Sequence, residues 1–138
     1  MTPLTENVSF DTISPRSRNG TGKIPAGWLA KVCAILKERV AGTYAITRRA
    51  RQDFEELFRE LFAEEMLEVL YKVLSTGRYT DAREVFGMKP AGKAYEFLFP
   101  FRERRMYGKI NLIDGKVLIH VISMHLQQKD DVGHGRFS

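Results

Sequence analysis

The sequence predicts an α+β domain, a small antiparallel sheet in the C-terminal half packed against helices that precede it. Three observations carry this. Tyr95, Phe97, Phe99 and Phe101 alternate with Glu96, Leu98 and Pro100, the pattern of a strand with one buried face. Two β-rich runs follow, 106–112 and 117–124, separated by Asp114-Gly115. That pair suits a tight hairpin because both central positions tolerate positive φ. Upstream, Phe54, Leu57, Phe58, Leu61 and Phe62 share one helical stripe, which continues through Met66, Leu67, Leu70, Tyr71, Val73 and Leu74.

The remaining elements follow in chain order. Residues 1–24 lack periodicity and are rich in Thr, Ser, Asn, Gly and Pro, which predicts a flexible arm. A single domain is expected over 25–131, with a short tail at 132–138. Pro25 suits the first turn of a helix. Trp28, Leu29, Val32, Cys33, Leu36 and Val40 then recur at helical spacing up to Gly42, a residue suited to ending it. This additional first helix is expected to pack on the main body or on a second copy of the chain, since its stripe is otherwise exposed. Residues 43–47 are β-prone and predict an added strand. No Gly or Pro interrupts 48–75, so that stretch is one long helix or two joined near 63–65. Asp81 and Glu84 have the spacing of a capping box for a short helix ending by Gly87.

Composition narrows the function classes. The chain has 138 residues, 43% hydrophobic and 11% aromatic, enough for one sizeable core. Its net charge of +5 favours an anionic partner. A single cysteine, Cys33, excludes an internal disulfide and a cysteine-based zinc site and fits a reducing compartment. The absence of a long apolar run and of a leader pattern predicts a cytoplasmic protein without a membrane partner. Glu55, Glu56, Glu60, Glu64, Glu65 and Glu68 are interleaved with basic residues as a solvated face, so no metal and no cofactor is expected.

The last hairpin concentrates the chemistry. A two-residue turn at Asp114-Gly115 puts Leu112 opposite Val117 and Ile110 opposite Ile119 on an apolar face. On the other face it puts Lys109 opposite His120, Tyr107 opposite Ile122 and Arg105 opposite Met124. Two cations, a tyrosine and an imidazole are suited to holding a phosphate and moving protons. The plainer reading of the spacing makes Lys109 and Arg105 ordinary solvated residues and His120 a half-buried spacer, and Tyr107 reads either as a base-stacking aromatic or as an ordinary cross-strand partner.

Residues 43–57, Thr-Tyr-Ala-Ile-Thr-Arg-Arg-Ala-Arg-Gln-Asp-Phe-Glu-Glu-Leu, resemble the opening strand and helix of the RelE/HigB/ParE toxins of type II toxin–antitoxin systems. Gly92-Lys93-Ala94-Tyr95-Glu96-Phe97 is similar to a later strand of that superfamily. Residues 106–110 fall where it carries a basic strand, and 114–129 resemble its final hairpin. The resemblance covers residues 43–131. It implies a RelE-like fold and an endoribonuclease that cleaves mRNA on the ribosome by metal-independent 2′-hydroxyl chemistry. It also implies a cognate antitoxin protein as partner. Arg105 and Lys109 would hold phosphate, and His120, His125 and Tyr107 would move protons. Lys89, Lys93, Arg102, Arg104 and Lys129 would bind RNA. The alternative is a non-catalytic protein on the same scaffold that inhibits gyrase or another host protein. Leu98, where the superfamily carries arginine, and the acidic Asp130-Asp131 after Lys129 favour that alternative.

Overall fold

The computed structural model describes residues 24–128. The predicted arm up to residue 23, Lys129 and the tail at 132–138 lie outside them. Ile24, assigned by the sequence to the arm, is buried in the core.

Helix α1 (Ala26–Glu38) starts directly after Pro25 and buries Trp28, Val32, Ile35 and Leu36. It stops before the expected Gly42, because Arg39 adopts the left-handed conformation and closes the last turn with its N–H on the Ile35 carbonyl. Gly42, at φ +89°, instead turns the chain into strand β1 (Tyr44–Ile46). Thr47 then caps helix α2 (Arg48–Leu57) by accepting a bond from the Ala50 N–H.

The long helical stretch is two helices. Helix α3 (Ala63–Ser75) follows a break at 58–62 that falls earlier than the expected junction. Two carboxylates stabilise its start: Glu55 accepts from the Ala63 N–H at 3.2 Å and Glu65 from the Phe62 N–H at 3.4 Å. At this break Phe62 leaves the apolar stripe and stands in solvent.

The segment expected to form a short helix at Asp81 and Glu84 is strand β2 (Thr80–Val85). Its pairing with β3 (Gly92–Phe101) overrides the local capping signal, and a bulge separates Thr80 from Arg83. Strand β4 (Arg104–Ile113) follows a tight turn in which Arg102 and Glu103 both have positive φ. Strand β5 (Ile119–Leu126) completes the sheet.

The strand order is β1-β5-β4-β3-β2. The sheet is mixed rather than wholly antiparallel, because β1 runs parallel to β5. Thr47 locks that edge: its N–H donates to the Val121 carbonyl and its hydroxyl to the Ile122 carbonyl. All three helices contribute to one core with Phe97, Phe99, Met106, Ile110, Ile119, Val121 and Met124. The opposite sheet face holds a separate buried pair, Leu98 and Tyr107, to which no described helix contributes.

Candidate active face of the sheet

The register of the last hairpin decides which side chains meet. The connection is a four-residue loop closed by the Ile113 N–H on the Leu118 carbonyl, so Leu112 faces Ile119 rather than Val117. Val117 is consequently out of the strand and largely exposed. A second displacement follows. Ile110 pairs with Val121 but Lys109 pairs with Ser123, which makes Ile122 the extra residue of a β-bulge.

These shifts revise the expected face. Lys109 does not oppose His120; His120 opposes Asn111, and Lys109 lies between Ser123 and Glu96. Tyr107 opposes His125 rather than Ile122. Met124, expected beside Arg105, is buried in the core, and the Arg105 carbonyl instead accepts the Gln127 N–H. His120 and His125 share β5 but oppose Asn111 and Tyr107, four residues apart on β4, so they stand about 13–14 Å apart at the usual rise per residue. They do not act on one phosphodiester.

Tyr107 and His125 form the centre of the open face. Their rings stack at 4.9 Å with 24° between planes. The Tyr107 hydroxyl donates to Glu96 Oε1 at 2.6 Å, and Arg83 holds Glu96 Oε2 through Nε at 3.0 Å and Nη2 at 2.8 Å. The chain Arg83–Glu96–Tyr107–His125 therefore crosses four strands. Glu96 is 7% exposed and Tyr107 5%, whereas His125 is half-exposed. A buried carboxylate is tolerable here because a cation and a hydroxyl both bond it.

The partner of His125 fixes its tautomer. Its Nδ1 lies 2.7 Å from the Leu126 carbonyl oxygen, which only accepts. Nδ1 thus carries the hydrogen, and in the neutral ring Nε2 is the basic atom. Lys109 occupies the next row, at the diagonal separation of about 7–8 Å common in sheets. Arg105 occupies the row on the other side and makes an exposed, loose ion pair with Asp81 at 3.5 Å.

The other residues assigned to RNA do not join this face. Arg102 pairs with Glu60 and lies over the rings of Phe58 and Phe101, on the helix side. A backbone hydrogen bond, followed by Arg102, lowers the Glu60 carboxyl below its ordinary pKa. Arg104 also covers Phe58. Lys93 pairs with Glu84 at 3.2 Å near α1, and Lys89 lies in the β2–β3 loop. Sequence reasoning missed Arg83 and Glu96. The available signal is a carboxylate set among the aromatic residues of β3; its partner is hidden by the helix-like spacing of Asp81 and Glu84 in β2.

Among the described residues, no group of three or more His, Cys, Asp or Glu side chains is placed to hold a metal ion, and no helix is long and apolar enough to cross a membrane. No family model, curated protein or solved structure matches the chain.

Proposed function

We propose that this chain is a cytoplasmic endoribonuclease of the RelE/HigB kind, acting on mRNA at the ribosome through the open sheet face. The observation that supports it is the placement of the half-exposed His125 against Tyr107, whose hydroxyl is held by Glu96, with Lys109 and Arg105 in the flanking rows. His125 Nε2 takes the proton of a ribose 2′-hydroxyl, and the 2′-oxygen attacks the adjacent phosphorus. The bond from phosphorus to the 5′-oxygen breaks, leaving a 2′,3′-cyclic phosphate. Lys109 protonates the departing oxygen, and Arg105 carries charge on the phosphorane. No metal enters this scheme, since the neighbouring hydroxyl supplies the nucleophile. Tyr107 is a positioning residue here, because its hydroxyl is committed to Glu96.

A second reading, a non-catalytic protein that binds gyrase or another host protein, draws on the same face. Leu98 and Tyr107 fill its centre, and Arg83 and Arg105 are both engaged by carboxylates. Primer extension on ribosome-bound mRNA treated with the purified full chain separates the two. Cleavage that persists in EDTA and falls about a hundredfold in turnover with His125→Ala, but not with His120→Ala, supports the nuclease. Intact mRNA alongside growth arrest moves the assignment to the binding protein.

A further inference from the structure

The opposite end of the molecule holds a cleft that the nuclease reading does not use. It has a volume of about 560 Å³ and opens between the second half of α1, the turn into β1 and the β4–β5 loop. Leu112 borders it, about 17 Å along β4 from Tyr107 at the usual strand rise. Its size falls in the range of small-molecule sites.

The lining is apolar below and cationic at the rim. Ile35 and Ile113 are buried, and Leu112 is half-buried beside them. Val40 and Val117 stand at the edges, 56% and 72% exposed. They are two of only five large apolar side chains exposed among the described residues, and both border this cleft. Lys31, Lys93 and Lys116 also line it. Lys93 is paired with Glu84, whereas Lys31 and Lys116 have no ion pair with a described carboxylate. Glu38 and Asp114 lie on the same rim.

We infer that this cleft binds a small amphipathic monoanion, with an aromatic or branched apolar body and one carboxylate or sulfonate group. The exposed valines and the buried isoleucines cover the body. The stems of Lys31 and Lys116 extend the apolar wall while their ammonium groups meet the anion. Glu38 and Asp114 repel a second negative charge, so a polyanion such as an RNA backbone fits poorly.

Fluorescence titration of the full chain with two probes tests this. One is 8-anilinonaphthalene-1-sulfonate; the other is N-phenyl-1-naphthylamine, the same apolar body without charge. Near-UV circular dichroism confirms native packing for each variant. The expected result is saturable one-site binding, tighter for the sulfonate and abolished by Val117→Asp. Lys31→Gln and Lys116→Gln should each weaken the sulfonate about threefold, as exposed charge pairs do, and leave the neutral probe unchanged. Equal affinity for both probes, insensitivity to both lysine variants, or no saturable binding overturns the proposal.

Discussion

Tyr107 on β4 and His125 on β5 are direct cross-strand partners with stacked rings 4.9 Å apart. With Ile122 present, this pairing depends on its being set out of the ladder as a bulge rather than taking a regular strand position. A regular strand after Val121 would send Ser123 inward and Met124 outward. The bulge reverses both, burying Met124 in the core and turning His125 to the open face. By absorbing the extra residue, the bulge keeps the imidazole in line with the hydrogen-bonded chain that ends at Arg83.

That chain has a measurable energetic signature. Tyr107→Phe keeps the ring and removes the donor to Glu96, leaving a buried carboxylate oxygen short of a bond. The expected loss is about 1–3 kcal/mol in urea unfolding. Arg83→Ala removes the cation but opens the site to water, since the Arg83 side chain is 37% exposed, and about 1–2 kcal/mol is expected after screening. The double variant should lose less than the sum, because both residues act on one carboxylate. Additive losses would separate the two contacts.

The sequence revealed the elements better than their register. Alternating aromatics gave β3, and the Phe54-to-Leu74 stripe gave the helical layer, because burial on one face imposes a period that is read locally. Asp114-Gly115 marked a hairpin but not its loop length. Gly115 alone has positive φ there, and the loop closes at Ile113 and Leu118, which leaves Val117 out of the strand and exposed. The bulge at Ile122 has no local mark, since it satisfies Thr47, the cap of α2, far away in sequence. β2 was hidden because Asp81 and Glu84 mimic a helix start, and only the pairing with β3 resolves them.

Two glycines on the sheet should respond differently to alanine. A Cβ on Gly108 would sit 3.1 Å from Phe97 Cε2 and 3.3 Å from Phe99 Cε1. Rings can shift, so Gly108→Ala is expected to fold with a loss of about 1–3 kcal/mol from overpacking. A Cβ on Gly92 would sit 2.4 Å from the Leu112 carbonyl oxygen and 2.4 Å from Asn111 Oδ1. A paired backbone carbonyl yields less readily, so Gly92→Ala should be the more destabilised in the same unfolding assay.

The first helix belongs to the core. Trp28 Nε1 donates to the Lys93 carbonyl at 2.9 Å, and its ring meets Tyr95 edge-on at 5.1 Å. Leu36 is 1% exposed. Leu36→Ala should therefore lose about 2–5 kcal/mol by leaving a cavity, and a chain beginning at Thr43 should lose cooperative thermal unfolding. A shortened chain as stable as the whole would show that α1 is dispensable.

Alkaline stability should report Tyr95. Burial, then the nearby Glu84 carboxylate, push its hydroxyl up to about 12. The unfolded chain releases that proton near pH 10 while the native state keeps it. The contribution is complete below pH 10 and is lost as pH rises towards 12, at most about 3 kcal/mol. Burial raises Tyr79 too, so part of the slope should remain in Tyr95→Phe. An unchanged alkaline limb in that variant would assign the whole effect elsewhere.

The bulge itself makes the last prediction. Without Ile122, Val121 opposite Ile110 and Ser123 opposite Lys109 become consecutive, and the in-and-out alternation stays intact. Deleting Ile122 should therefore preserve the fold, keep Met124 buried and leave His125 opposite Tyr107. What disappears is the carbonyl that accepts the Thr47 hydroxyl at 2.9 Å. Thr47 also caps α2 and bonds β5 through its N–H, so the loss should loosen the β1 edge and cost about 1 kcal/mol. Cross-strand Hα–Hα contacts between residues 107 and 125, read by NMR, should survive the deletion, while amide exchange at Thr47 should accelerate. Loss of the 107–125 contact would mean that β5 slips by a residue, with Met124 sent to solvent and the stacked pair dependent on the bulge. Contact retained with faster exchange at Thr47 would locate the role of the extra residue at the parallel edge.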